Sequence, residues 1–356
     1  MRVLLIDPKA AERGYNLGLA YLCSSLEAQG HEVKVLDLNN RFRGAPPSIV
    51  AKTVERYAPG LVGLSGVSWA FKSAASVAAY LRATWQGPIV LGGIHASLVK
   101  EGILRGHRAF DMVIVGEGEA TLPLLASTLE DGGDLHRVQG LVFRENGEIV
   151  QNAPRPAIAN LDALPFPDFR PFGISRMYSY PLLTSRGCPY TCIFCLSPVL
   201  SERKWRARSP ENVIEELEHA KQTYRIKAFN VRDDNLTLRM DRAKRFCELL
   251  AAKDLGLAWS CNNGIFARWV DEELARKMRT AGCVEVSLGI ESLVPEIFDR
   301  VRKGEHLKDI TNAVRVLKGA GIRIRGFFIL GLPGDSYENA MLSYRLGREL
   351  GLDDYG

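Results

Sequence analysis

A chain of 356 residues, 46% hydrophobic and 24% charged, is too long for one ordinary compact core and too apolar for a disordered one, so two globular domains are expected. Its formal net charge of +5 is spread along the sequence, with no aromatic-interleaved basic stripe or zinc-finger spacing, so no nucleic-acid partner is expected. No apolar run approaches the ~20 residues of a membrane span, and the opening MRVLLIDP lacks the length and cleavage site of a signal peptide, which predicts a cytoplasmic protein.

In chain order, residues 2–6 read as a buried strand, 17–29 as a helix closed by Gly30, 31–38 as an alternating strand, 48–57 as a helix and 61–66 as a buried strand. Residues 72–85 form an alanine-rich helix, 89–92 and 112–115 the fourth and fifth strands, and 119–130 the last helix. Strand and helix in alternation predict an α/β domain over 1–135 with a doubly wound parallel sheet. Residues 136–173 change character: strands 141–144 and 148–151 flank the turn Glu145-Asn146-Gly147, and Pro154, Pro156, Pro165, Pro167 and Pro171 follow. This predicts a linker with a small hairpin. Over 174–356, strands at 182–185, 228–231, 258–261, 285–288 and 324–330 alternate with helices at 210–223, 240–252, 271–281, 295–301, 307–320 and 336–349. That pattern is a partial (β/α) barrel. A sixth strand would start near Leu352, where the chain stops, so a truncated barrel is expected.

Seven cysteines occur. Cys23, Cys247, Cys261 and Cys283 are scattered; Cys247 and Cys283 read as buried apolar thiols, and Cys261 sits at a strand end. Cys188, Cys192 and Cys195 are clustered in Arg186-Gly187-Cys188-Pro189-Tyr190-Thr191-Cys192-Ile193-Phe194-Cys195, after the first strand of the second half. A disulfide framework would be shorter and denser in cysteine, and structural zinc uses paired C-x-x-C units, of which no second is present. A four-iron cubane takes four ligands. Three local thiolates leave one iron open, in a loop where barrel enzymes place their chemistry. Just downstream, Arg203, Lys204, Arg206 and Arg208 read either as a solvated loop or as contacts to a carboxylate or phosphate.

This C-x-x-x-C-x-x-C run resembles the radical S-adenosylmethionine (SAM) superfamily, over most of 180–350. The resemblance implies a [4Fe-4S] cluster on Cys188, Cys192 and Cys195, SAM bound at the open iron, and reductive cleavage of SAM to methionine and a 5′-deoxyadenosyl radical. It also implies SAM contacts from Asp233, Asp234 and Asn235 after the second strand, Glu291 and Ser292 after the fourth, and Gly331 and Pro333 after the fifth. Asp233-Asp234-Asn235 replaces the Gly-Gly-Glu of many members and is similar to the cobalamin-binding branch, as is Arg206-Ala207-Arg208-Ser209-Pro210. Ser209 before Pro210 is independently a helix N-cap. Asp335 stands where many relatives have Glu, and reads equally as a first-turn helix charge.

In the first domain, small residues gather at strand ends: Ser65, Gly66 and Ser68, then Gly92, Gly93 and His95, then Gly116, Glu117 and Gly118. Glycines let a flat ligand approach the backbone, and no G-x-G-x-x-G follows the first strand, which disfavours a dinucleotide. With Leu17-Gly18-Leu19-Ala20-Tyr21-Leu22, these loops resemble the cobalamin-binding domain attached to many radical SAM enzymes, which implies cobalamin contacts from them. The D-x-H-x-x-G motif whose histidine ligates cobalt is missing: Asp7-Pro8-Lys9 follows the first strand, and Asp134-Leu135-His136 lies elsewhere, with Gln139 in place of the glycine. The lower face of cobalt is thus expected to carry water or nothing, with the nucleotide tail among Ser65, Gly92, Gly93 and Gly116. His95 is either a hydrogen-bonding partner of the cofactor or a structural histidine.

Together the two resemblances imply methyl transfer to an unactivated carbon of a small-molecule, lipid or natural-product substrate, with electrons from a donor such as flavodoxin or ferredoxin. The alternatives are a cobalamin-dependent radical oxidation or ring closure, similar to anaerobic porphyrin cyclisation, and a degenerate non-catalytic cofactor-binding protein.

Overall fold

An unbroken apolar run suits a strand covered on both faces, and β1 (Arg2–Asp7) is buried from its second residue to its last. The computed structural model describes residues 1–356. From β1 the chain runs through α1 (Leu17–Ala28), β2 (Glu32–Asp37), α2 (Ser48–Tyr57), β3 (Leu61–Ser65), α3 (Ser68–Arg82) and β4 (Ile89–Gly92). Then come α4 (Ile94–Val99), α5 (Glu101–Gly106), β5 (Met112–Ile114), α6 (Thr121–Glu130), β6 (Leu141–Glu145) and β7 (Glu148–Gln151). The seven-stranded sheet has the order β2-β1-β3-β4-β5-β6-β7. Its first five strands are parallel, and β6 and β7 are antiparallel additions. The strand order reverses between β1 and β3, so a ligand crevice is expected at the carboxyl ends beside that point.

Two expectations are corrected here. The hairpin is no linker: β6 pairs with β5, burying Val142 and Phe143, and so covers an edge that a lone β5 would leave open. Helices α4 and α5 were not anticipated. Lys100, at φ +52°, separates them, and each is too short to show a helical period.

The chain divides into two compact units, 1–159 with 163–175, and 160–162 with 176–356. The second unit begins with β8 (Ser179–Leu182), β9 (Ser185–Arg186), α7 (Ser197–Leu200), β10 (Arg206–Ala207), α8 (Pro210–Tyr224) and β11 (Ala228–Val231). It continues with α9 (Met240–Lys253), β12 (Ala258–Ile265), α10 (Glu272–Thr280), β13 (Cys283–Glu291), α11 (Pro295–Arg300), α12 (Leu307–Gly319), β14 (Arg323–Phe328), α13 (Tyr337–Leu350) and β15 (Asp354–Tyr355). Six of these strands form one sheet, β15-β14-β13-β12-β11-β8, all parallel, as in part of a (β/α) barrel. Helix α8 starts as read: the Ser209 side chain accepts from Asn212 N at 3.2 Å and Pro210 takes the first position.

Strand β8 lies three residues before the expected 182–185. Pro181 is tolerated because β8 is an edge strand, while Thr184 and Ser185 are drawn into side-chain bonds described below. Strand β12 runs on to Ile265, which leaves Cys261 inside the strand and fully buried rather than at its end. The sixth strand is short and lies at 354–355, paired with β14.

Candidate cofactor sites

The three cysteines of the triad sit between β9 and α7, half-buried, in a loop tied down at several points. Gly187 N donates to Asp234 Oδ2 at 3.0 Å and Ile193 N to Val301 O at 3.2 Å. Tyr190 stacks on Phe266 with ring centroids 4.1 Å apart, and its hydroxyl accepts from Trp269 Nε1 at 3.3 Å. Gly187 has φ +86°, and a Cβ there would stand 2.2 Å from Lys204 O, so glycine is required. Burial pushes the Cys188 thiol up and that of Cys192 up to about 11, and in both the Lys303 charge opposes it. Cys192 and Cys195, with Thr191 and Arg203, line a depression of about 390 Å³.

No three His, Cys, Asp or Glu side chains are arranged as a ready-made metal cage. The fit rests on donor chemistry: three soft thiols on one anchored loop suit iron–sulfur ligation, and the metal's positive charge supplies the thiolate stabilisation that burial withholds.

The residues expected around SAM divide. Asp233 is fully buried, and its carboxylate accepts from Thr184 N at 2.6 Å, Thr184 Oγ1 at 2.5 Å and Ser185 Oγ at 2.6 Å. Arg242 stands beside it and donates to Thr184 O at 2.7 Å. Asp233 therefore holds the approach to the cysteine loop. Asp234 is exposed and holds Gly187. Asn235 is buried, with its carbonyl accepting from Trp205 Nε1 at 3.3 Å. Ser292 is also turned inward, with its hydroxyl 3.1 Å from Ser343 Oγ. Glu291 takes φ +64° at the end of β13, is 7% exposed and lies 3.6 Å from Lys303 Nζ. Burial raises its carboxyl, and Lys303 pulls against that rise. Gly331 N donates to Asp335 Oδ2 at 3.1 Å, and Pro333 O accepts from Arg300 at 3.1 Å. Of the basic run, Arg208 turns inward to the buried Glu216, which also accepts from Tyr180 OH at 2.8 Å. Lys204 pairs at the surface with Glu202 at 2.8 Å.

In the first unit the loops after β3, β4 and β5 are joined to one another. Gly66 N donates to Gly92 O and His95 N to Gly66 O, both at 3.2 Å, and Gly116 N donates to Ser97 Oγ at 3.0 Å. Gly93 has φ +98°, and a Cβ there would stand 2.9 Å from Gly66 O and 3.2 Å from Ser65 Oγ. A Cβ on Gly66, Gly92 or Gly116 would instead project into open space. The result is a slot floored by backbone, of the kind a thin chain or flat ring can enter, and it fits cobalamin. His95 Nδ1 lies 3.0 Å from Ser68 Oγ and its ring 4.2 Å from that of Phe71; burial, with His107 nearby, lowers its pKa. Gly118 packs on Leu22, and Glu117 accepts from Ile158 N at 2.6 Å.

Four residues were not singled out from the sequence as parts of these sites. Ser97 lies on the unanticipated α4. Lys303 and Glu305 meet Glu291 only through the fold, with no local motif to mark them. Asp7, at the end of β1, is 5% exposed; Asn16 Nδ2 donates to its Oδ1 at 2.7 Å, while its Oδ2 has no partner.

The sequence matches the family model of the Radical SAM superfamily over residues 182–346 and that of the B12 binding domain over residues 4–126. It is 32% identical to an uncharacterized methyltransferase of Pyrococcus horikoshii, over 99% of this chain and 79% of that protein. It is 28% identical to an anaerobic magnesium-protoporphyrin IX monomethyl ester cyclase of Rubrivivax gelatinosus, over 98% of this chain and 66% of that protein. Among solved structures, the radical SAM methyltransferase TsrM from Kitasatospora setae shares the fold with a TM-score of 0.83 at 21% identity, covering 100% of this chain and 72% of that one.

Proposed function

From the membership of this chain in the cobalamin-binding radical SAM family, we propose that it transfers a methyl group to an unactivated carbon of a small-molecule substrate. The observation that carries this reading is the 32% identity with an uncharacterized methyltransferase over 99% of the chain. The chain is a radical SAM enzyme, and its cofactors are a [4Fe-4S] cluster, SAM and cobalamin. When bound, the cluster and SAM supply a hydrogen-abstracting 5′-deoxyadenosyl radical, and cobalamin supplies a transferable methyl group.

Cys188, Cys192 and Cys195 would hold the cluster. Gly187, fixed by Asp234, and Ile193, fixed by Val301, keep the loop from rearranging as its charge changes. Asp234, Glu291 and the backbone at Gly331 are the candidates for orienting SAM, since each stands at the carboxyl end of a barrel strand or just beyond it. Gly66, Gly92, Gly93 and Gly116 would leave room for the cobalamin tail, and no histidine follows β1 to ligate cobalt. The electron would come from a flavodoxin or ferredoxin.

The test is anaerobic turnover with SAM carrying a trideuterated methyl group, followed by mass analysis of candidate substrates. Methyl transfer puts the label in the product and releases 5′-deoxyadenosine. The likeness to the cyclase favours a second reading, radical ring closure. Release of 5′-deoxyadenosine with an unlabelled, oxidised product would replace the first reading with the second.

A further inference from the structure

Lys303 is a buried cation with no role in the assignment above. Its side chain is 10% exposed. Its ammonium donates to Gly289 O and lies 2.9 Å from Glu305 Oε2 and 3.6 Å from Glu291 Oε1. The Glu305 side chain is wholly buried and accepts from Arg268 N at 3.1 Å. Three charges this deep are costly to bury unless they pair, and here one cation serves two carboxylates. The segment that carries them lies against the cysteine loop: Val301 O accepts from Ile193 N, directly after Cys192, and a Cβ on Gly304 would stand 3.4 Å from the Tyr190 ring.

We propose that Lys303, held by Glu291 and Glu305, is a positioning residue that sets the reduction potential of the cluster through its buried charge. The inference rests on the assignment of the cluster to Cys188, Cys192 and Cys195. Reduction adds one electron to a group already surrounded by thiolates, so a nearby cation favours the reduced form and a nearby carboxylate opposes it. No bond is made or broken in this step.

The test is a dithionite redox titration of the reconstituted, full-length protein at pH 8.5, with the reduced cluster counted by electron paramagnetic resonance. Lys303→Met should shift the reduced-to-oxidised ratio at a given poise about tenfold toward oxidised, or 59 mV for one electron. Glu305→Gln should shift it the other way, and Lys303→Arg should leave it near wild type. Opposite shifts from removing opposite charges would not arise from a purely structural role. If Lys303→Met loses its iron, Glu305→Gln and Lys303→Arg still decide the matter. An unshifted potential in iron-loaded Lys303→Met, or shifts of one sign in both Lys303→Met and Glu305→Gln, overturns the proposal. A weaker affinity for SAM at unchanged potential overturns it too, and makes Lys303 a SAM contact. Wild-type protein that holds no iron would sink the cluster assignment instead.

Discussion

Asp7 shows how a single buried group sets a pH dependence. Burial, opposed by the Asn16 hydrogen bond and assisted by Asp37, raises its pKa from 3.8 to about 7. The folded state prefers the protonated acid, so this stabilisation is full below pH 3.8 and is lost as the pH rises toward 7. A rise of that size is of order 4 kcal/mol. Asp7→Asn should therefore be more stable than wild type above neutral pH and flatten the pH dependence of thermal melting between acid and neutral; an unchanged profile would disprove it. The slot glycines separate folding from binding. Gly93→Ala should cost about 1–3 kcal/mol, because the left-handed backbone and the contact with Gly66 both oppose a side chain. Gly92→Ala should melt like wild type yet bind cobalamin at least about tenfold more weakly, since its methyl enters open space meant for the ligand. Titration calorimetry beside thermal melts distinguishes the two. The cysteine triad was legible because its chemistry is contiguous in sequence. Asp233 and Asp234 were not separable, because adjacent acids differ only in which one the fold turns inward.

At the scale of elements, Asp233 joins the end of β8 to the end of β11. Removing its carboxylate leaves the Thr184 amide and two hydroxyls without their acceptor, and takes a neighbouring counter-charge from Arg242, which keeps its bond to Thr184 O. Asp233→Ala should therefore cost on the order of 3–5 kcal/mol and lower iron retention, whereas Asp233→Asn, which can still accept and donate, should keep most of both. Equal iron content and melting in Asp233→Ala and wild type would show that the staple is dispensable. The same bonds explain why the first barrel strand was misplaced by three residues: Thr184 and Ser185 have strand-like side chains, but a carboxylate from the next strand diverts them. Helices α4 and α5 were missed for a different reason, since a break at Lys100 leaves neither of them long enough to show a period.

For the whole molecule, the alternation of strand and helix made both units legible, and the hairpin was assigned to a linker only because sheet pairing is a long-range event. Each unit carries its candidate cofactor site at the carboxyl ends of its own parallel strands. Loading of iron and of cobalamin should therefore separate. The Cys188→Ala, Cys192→Ala, Cys195→Ala triple variant should lose iron and still bind cobalamin with near wild-type affinity, while Cys247→Ala and Cys283→Ala should keep their iron; retention of iron by the triple variant would refute the ligand assignment. The anchoring of the cysteine loop through Gly187, Tyr190 and Ile193 has a last consequence, for survival in air. Small zinc domains unfold when their metal leaves, because the metal is their core. Here the loop is held by the protein's own bonds, so oxygen that destroys the cluster would strip a part and spare the machine. A damaged molecule would wait, folded and repairable, for new iron.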